Sequence, residues 1–364
     1  MDILKLNSIS PLAGEVLKGY TLVSESESPV GILVRSFNMA DYAVPSTLLA
    51  VARAGAGVNN IPHADYAKKG ICVFNTPGAN ANAVKELVLC DMLLAARNVS
   101  EGIHWAESLT GDDVAKQVEK GKSAFAGTEI QGKTLAILGL GAIGRKVAIS
   151  ANALGMNVVG YDPFLSAEAA AEIPFVTRVD SVASAYADAD FISLHMPLTD
   201  TTKYMIDSDA MAQMKNGVII INAARGELVC NVALKEGLSS GKIRKYVTDF
   251  PNAEVLGVKG VVAVPHLGAS TAEAEDNCAV MAAQQMKDYL EKGNIRNSVN
   301  LPNLSAECAK AHRLTILSLE GTTLPYQGVS ATRNGITYTI VDTDAPIDAA
   351  SVQGEGILRV RNVF

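Results

Sequence analysis

Short runs of four or five apolar residues recur along the chain, rich in branched side chains and each followed by polar or glycine-rich residues. Unbroken apolar runs of this length suit strands buried on both faces of a parallel sheet, whereas half-exposed strands alternate. In the first hundred residues they fall at 31–35, 48–52 and 71–74, followed by a helical period at 83–96. They resume at 134–138, 157–161, 191–194, 218–221, 245–248 and 261–264, with helix-compatible segments at 145 to about 154 and at 279–292. After residue 305 the pattern changes, since 313–317, 335–341 and 356–361 alternate as in a half-buried antiparallel sheet. The chain therefore reads as α/β, with two parallel-sheet domains and a short C-terminal α+β unit. The helix at 279–292 returns the chain to the first domain, and two crossings between domains make a hinge.

Length and composition narrow the class. At 364 residues, 48% apolar and 19% charged, the chain is expected to be a globular protein of two or three domains. A net charge of −7 without a basic stripe argues against nucleic acid, and no apolar run reaches membrane-spanning length. Five cysteines without CxxC spacing suggest a reducing cytoplasm and no metal site, and Cys90 and Cys278 read as core. Residues 98–132 are polar, with Trp105 and a lysine-rich portion at 116–122; they read as an arm between domains or as a solvated helix face.

Chemistry concentrates where the apolar runs end. The run 134–138 leads into Gly139-Leu140-Gly141-Ala142-Ile143-Gly144, then a helix, a second strand and Asp162. Strand, glycine turn, helix, strand, acid is the order of a dinucleotide site. Gly139 allows the turn, Gly141 lets backbone approach a pyrophosphate and Gly144 lets helix and strand pack closely. A carboxylate at Asp162 accepts from the ribose hydroxyls and repels a 2′-phosphate, which favours NAD over NADP. Later runs end in His195-Met196-Pro197, Asn222-Ala223-Ala224-Arg225-Gly226, Asp249 with Glu254 behind it, and Pro265-His266-Leu267-Gly268. In a doubly wound sheet these ends share one edge with the glycine turn. Hydride transfer at a 2-hydroxy acid needs such a set: His266 to exchange the hydroxyl proton, Glu254 to hold the imidazole, and Arg225 to bind the carboxylate. His195, Met196 and Pro197 read as lining the cofactor. In the first domain, the glycines of the loop 53–60 offer N–H groups to an anion; Arg53 beside them is either its counter-charge or a surface residue.

Taken together, Arg53-Ala54-Gly55-Ala56-Gly57, the Gly139 fingerprint, Asn222-Ala223-Ala224-Arg225-Gly226 and Pro265-His266-Leu267-Gly268-Ala269-Ser270 resemble the D-2-hydroxyacid dehydrogenases over about residues 1–304. The resemblance is greatest to members that oxidise 3-phospho-D-glycerate to 3-phosphohydroxypyruvate at the entry to serine biosynthesis. It implies a Rossmann NAD domain, 98–285, inserted into a flavodoxin-like substrate domain, 1–97 and 286–304, followed by a shortened ACT-like domain, 305–364. It further implies Arg225, Glu254 and His266 as catalytic residues. NAD contacts would come from the glycine turn with Ala142 and Ile143, from Asp162, Met196, Ala223, Ala224, Arg225 and Asp249, and from His266, Leu267 and Gly268. Substrate contacts would come from Arg53, Ala56, Gly57, Val58 and Asn80, with Arg225 and His266. A cytoplasmic homodimer or larger homo-oligomer, built through 98–132, is also implied. The alternatives are the same chemistry on glycerate, hydroxypyruvate or lactate, and a non-catalytic NAD-sensing regulator on the same fold.

Overall fold

Strands β1 (Asp2–Leu6), β2 (Thr21–Val23), β3 (Gly31–Val34), β4 (Ala50–Arg53) and β5 (Cys72–Phe74) pair in parallel in the order β2-β1-β3-β4-β5. That is the flavodoxin-like winding. β3 and most of β4 are buried, as their unbroken apolar runs require. A second all-parallel sheet follows, from β6 (Thr134–Leu138), β7 (Asn157–Tyr161), β8 (Thr177–Arg178), β9 (Phe191–Leu194), β10 (Val218–Asn222), β11 (Ile243–Thr248) and β12 (Val261–Ala263). Its order, β12-β11-β10-β9-β6-β7-β8, is the Rossmann winding, and the order reverses between β6 and β9. The computed structural model describes residues 1–364. Two compact units result, residues 1–80 with 272–364, and residues 81–271.

Packing decides where the chain changes unit. The helix Ala81–Arg97 buries Val84, Val88, Met92 and Ala95 against Leu135, Ile137 and Val147, so it belongs with the second sheet. The helix Ala272–Lys292 buries Ala279, Ala282, Met286 and Tyr289 against Ile3, Leu33 and Phe74, so it belongs with the first. The changeovers therefore lie at 80/81 and 271/272 rather than near 97 and 285, because a long amphipathic helix goes with whichever sheet covers its apolar stripe. Within 98–132 the helices Val99–Glu107 and Val114–Gly121 bury no residue fully, and Trp105 packs on Phe125 with ring centroids 5.1 Å apart. Cys278 is buried; Cys90 is exposed, because it falls outside the stripe of its helix.

The C-terminal strands β13 (His312–Leu319), β14 (Val329–Arg333), β15 (Ile336–Thr343) and β16 (Ile357–Asn362) form an antiparallel sheet ordered β14-β15-β13-β16. One face, with Leu317, Ile336, Tyr338 and Ile340, joins the core of the first unit. Loops cover the other, placing Leu324, Tyr326 and Ile347 on Leu314, Ile316 and Val341. Arginines fasten the sheet to the end of the helix Ala272–Lys292. Arg361 donates to the Leu290 and Tyr289 carbonyls at 2.9 and 2.6 Å, and Arg313 to that of Lys292 at 2.9 Å. Such bonds satisfy the orphan carbonyls of a last turn and place positive charge at the negative end of the helix dipole. Arg313 is fully buried and its charge is matched by Asp342, which accepts at 2.6 and 2.8 Å.

Removing Asp342 would strand the Arg313 guanidinium, so Asp342→Ala should lower the unfolding free energy at pH 7 by about 3 kcal/mol or more in urea titrations. The hydrogen bonds from Arg313 hold the Asp342 carboxyl below the ordinary aspartate range. A depressed folded-state pKa gives stability that is present above the unfolded value, near 3.9, and is lost as pH falls through the folded value. The variant should therefore lose less stability than the wild type on acidification below about pH 4.

Candidate functional site

At the β6/β9 reversal backbone packs closely on backbone. Gly139 has φ +95°, and a Cβ there would sit 2.7 Å from the His195 carbonyl oxygen. A Cβ on Gly144 would collide with the carbonyl of Gly139, whereas one on Gly141 would meet open space. Glycine is thus demanded at the first and third positions by the protein itself, while the second stands open at the N-terminus of the helix Ala142–Ala153. Asp162, just past β7, accepts from the Leu140 N–H at 2.8 Å and the Phe164 N–H at 2.9 Å. Its carboxylate is therefore held against the glycine turn. Gly139, Gly141, Asp162, His195, Met196 and Pro197 line a cleft of about 800 Å³. The His195 Nε2 lies 2.8 Å from Ser193 Oγ, its Nδ1 is buried without a partner, and burial pushes its pKa down to about 4. His195 is accordingly neutral near pH 7 and suits a lining role. An open glycine, a helix N-terminus and a fixed carboxylate fit a dinucleotide.

A second group gathers further along the same edge. The buried Asn222 ends β10; its Oδ1 accepts from the Ala224 and Arg225 N–H groups and its Nδ2 donates to the Arg225 carbonyl and Tyr246 OH. These bonds fold the turn 222–225 tightly on itself and fix where Arg225 begins. The Arg225 guanidinium stands 5.6 Å from the centre of the Phe250 ring, and the His266 ring is 4.4 Å from it. Phe250 therefore brings Arg225 and His266 together. Asp249, one residue earlier, is almost completely buried and accepts from the Gly268 N–H at 3.3 Å, while its Oδ1 has no partner. That orphan acceptor suits a ligand amide donor. Burial raises the Asp249 pKa, and the charges of His266 and Arg225 oppose the rise.

Glu254 is placed differently. Its side chain is exposed, its N–H is held by Asn252 Oδ1, and its carboxylate pairs with Lys235 at 3.4 Å. It makes no hydrogen bond to His266. The loop after Phe250 turns the side chain outward, which residue spacing alone did not reveal.

In the first unit the loop after β4 is tied to the loop after β5. The Gly55 N–H donates to Thr76 Oγ1 at 2.8 Å and Asn75 Nδ2 to the Ala56 carbonyl at 2.6 Å. Arg53 donates from Nε to the Arg35 carbonyl at 3.0 Å, its guanidinium folded over Gly55. Ala56 is exposed, and Gly57, Val58 and Asn80 are half-buried. These residues form one loop cluster at the C-terminal ends of β4 and β5. Two residues escaped the sequence reading, Phe250 and Asp91. The signal for Asp91 was available: an acid at the i+7 position of the apolar stripe that starts at Val84.

Comparison with known proteins identifies the family. Residues 89–268 match the family model for the D-isomer specific 2-hydroxyacid dehydrogenase NAD-binding domain. The chain is 40% identical over 266 residues to a D-3-phosphoglycerate dehydrogenase of Methanocaldococcus jannaschii, covering 71% of this chain and 49% of that protein. It is 39% identical over 245 residues to a hydroxypyruvate reductase of Thermotoga maritima, covering 65% and 76%. A crystal structure of NAD+-bound 3-phosphoglycerate dehydrogenase from Entamoeba histolytica superposes with a TM-score of 0.66 at 26% identity, covering 84% of this chain and 99% of that one. The chain spans about half the length of several curated relatives that it matches, 49 to 58% of three of them. With its glycine turn, Asp162 and the strand-end residues all inside the stretch that matches that family model, the chain belongs to the D-isomer specific 2-hydroxyacid dehydrogenases and carries their NAD-binding domain.

Proposed function

We propose that this protein oxidises 3-phospho-D-glycerate at C2 to 3-phosphohydroxypyruvate, with NAD as the hydride acceptor. The observation that carries the reading is the Phe250 ring, with Arg225 and His266 against it at the sheet edge that holds the glycine turn. Relatives named for that reaction support the choice of substrate. In this reading Arg225 binds the substrate carboxylate and polarises the C2 oxygen. His266 takes the hydroxyl proton as the C2 hydrogen leaves with its electron pair. Bound NAD supplies the acceptor for that pair. The open backbone at Gly141 receives the pyrophosphate and Asp162 the adenosine ribose, while Ala223, Ala224, Leu267 and the orphan Asp249 oxygen belong to the nicotinamide end. In the first unit, Arg53 with the N–H groups of the loop 55–58 is the candidate for the phosphate. A homodimer through residues 98–132 belongs to the same reading, supported by the exposed Val99, Ile103 and Val114.

The second reading is the same chemistry on an unphosphorylated acid, which the hydroxypyruvate reductase relative favours. Initial rates with 3-phosphoglycerate, D-glycerate and D-lactate, with the keto product trapped, separate the two; the proposal expects a clear preference for the phosphorylated acid. Arg53→Ala should raise KM for 3-phosphoglycerate by about ten-fold or more, the worth of a charged hydrogen bond, and change KM for D-glycerate far less. An equal effect on both would remove Arg53 from the phosphate end.

Asp162→Asn should raise KM for NAD by about ten-fold or more, since the ribose loses a charged acceptor. It should also narrow the preference for NAD over NADP, because no charge remains to repel a 2′-phosphate. An unchanged NAD:NADP ratio of kcat/KM would count against this role for Asp162.

A further inference from the structure

One wall of the cleft beside the glycine turn carries a ring that the fold leaves in water. Phe164 lines that cleft, two residues past Asp162, and at 91% exposure is the most exposed of the chain's large apolar side chains. A single exposed phenyl ring is ordinary on a protein surface. This one is held from both sides. Pro163 before it has a fixed φ, and Leu165 after it packs on the apolar core of the second unit. Ser166 then caps the helix Ala167–Ala171, its Oγ accepting from the Ala169 N–H at 3.2 Å. The backbone around Phe164 is therefore ordered, while its ring has no packing partner of comparable size.

The Asp162 carboxylate decides what can meet that ring. Its Oδ2 accepts from the Leu140 N–H in the glycine turn and its Oδ1 from the Phe164 N–H. One acid thus joins the turn that suits a pyrophosphate to the residue that bears the ring. In a dinucleotide the adenine is bonded to the ribose carbon next to the 2′-hydroxyl, so a ribose held by Asp162 brings the base to the neighbourhood of Phe164. Val182, Met205 and Ala210 line the same cleft and add apolar surface. An anion gains nothing from a phenyl face, which is the negative side of the ring quadrupole, whereas a flat purine stacks on it.

We propose that Phe164 is the surface on which the adenine of the dinucleotide stacks, and that it carries a large share of the affinity for the adenosine half. The inference rests on placing the pyrophosphate at Gly141 and the ribose at Asp162, and is independent of which hydroxy acid is oxidised. Because the loop is ordered beforehand, closing the ring on a base immobilises little more than the Phe164 side chain itself.

The experiment is calorimetric titration of the intact, cofactor-free protein with NAD and with ADP-ribose, which lacks the nicotinamide. Phe164→Ala should raise Kd for both ligands by about ten-fold and by the same factor, the effect of losing one base–aromatic stack. Its urea midpoint should stay at the wild-type value, since an exposed side chain contributes little to stability. Phe164→Trp should hold Kd within about two-fold of wild type or lower it, because the larger ring also stacks. The added indole should be quenched when ADP-ribose binds, a change read against the wild type, whose one tryptophan is Trp105. Retention of both affinities within about two-fold in Phe164→Ala would overturn the proposal. So would a loss confined to NAD, which would put the ring at the nicotinamide end. A wild type that binds neither ligand would overturn the cofactor placement and this inference with it, whereas any order of preference among hydroxy acids leaves both standing.

Discussion

Two backbone approaches at the sheet reversal set the glycine-turn end of the second sheet's C-terminal edge. Gly139 presses on the His195 carbonyl and Gly144 on the Gly139 carbonyl, contacts that no Cβ could enter. With both fixed, the helix Ala142–Ala153 starts at one place and points its free N–H groups one way, and the Leu140 N–H reaches Asp162 from β7. The glycine turn and the Asp162 carboxylate are therefore set by packing rather than by a ligand, and less of the cost of ordering them would remain for binding. Gly141 is the one glycine of the three that the surrounding packing does not demand.

The C-terminal sheet follows the same economy with different means. Its strand order is that of a ferredoxin-like unit, in which two helices would cover one face. Here loops carrying Leu324, Tyr326 and Ile347 cover that face, and the other is closed by the first unit's own core. Arg313 and Arg361 bind the sheet to the last turn of the helix Ala272–Lys292, so its attachment is polar and directional as well as apolar.

How much of this was legible depends on which physical effect placed each residue. Strands buried on both faces, such as β6, β9 and β10, announce themselves as unbroken apolar runs. β1, interrupted by Lys5, the three-residue β2 and the largely exposed, polar β14 do not. Gly139, Asp162, Arg225 and His266 were legible because strand ends and turn glycines obey topology. Glu254 shows the limit, since five residues past Asp249 fixes a place along the chain but not a direction, and the loop through Asn252 aims it at Lys235. Phe250 gave no signal because an aromatic after a strand is ordinary. Asp91 broke the apolar period of its helix and could have been noticed, because a buried stripe of an amphipathic helix has no ordinary place for an acid.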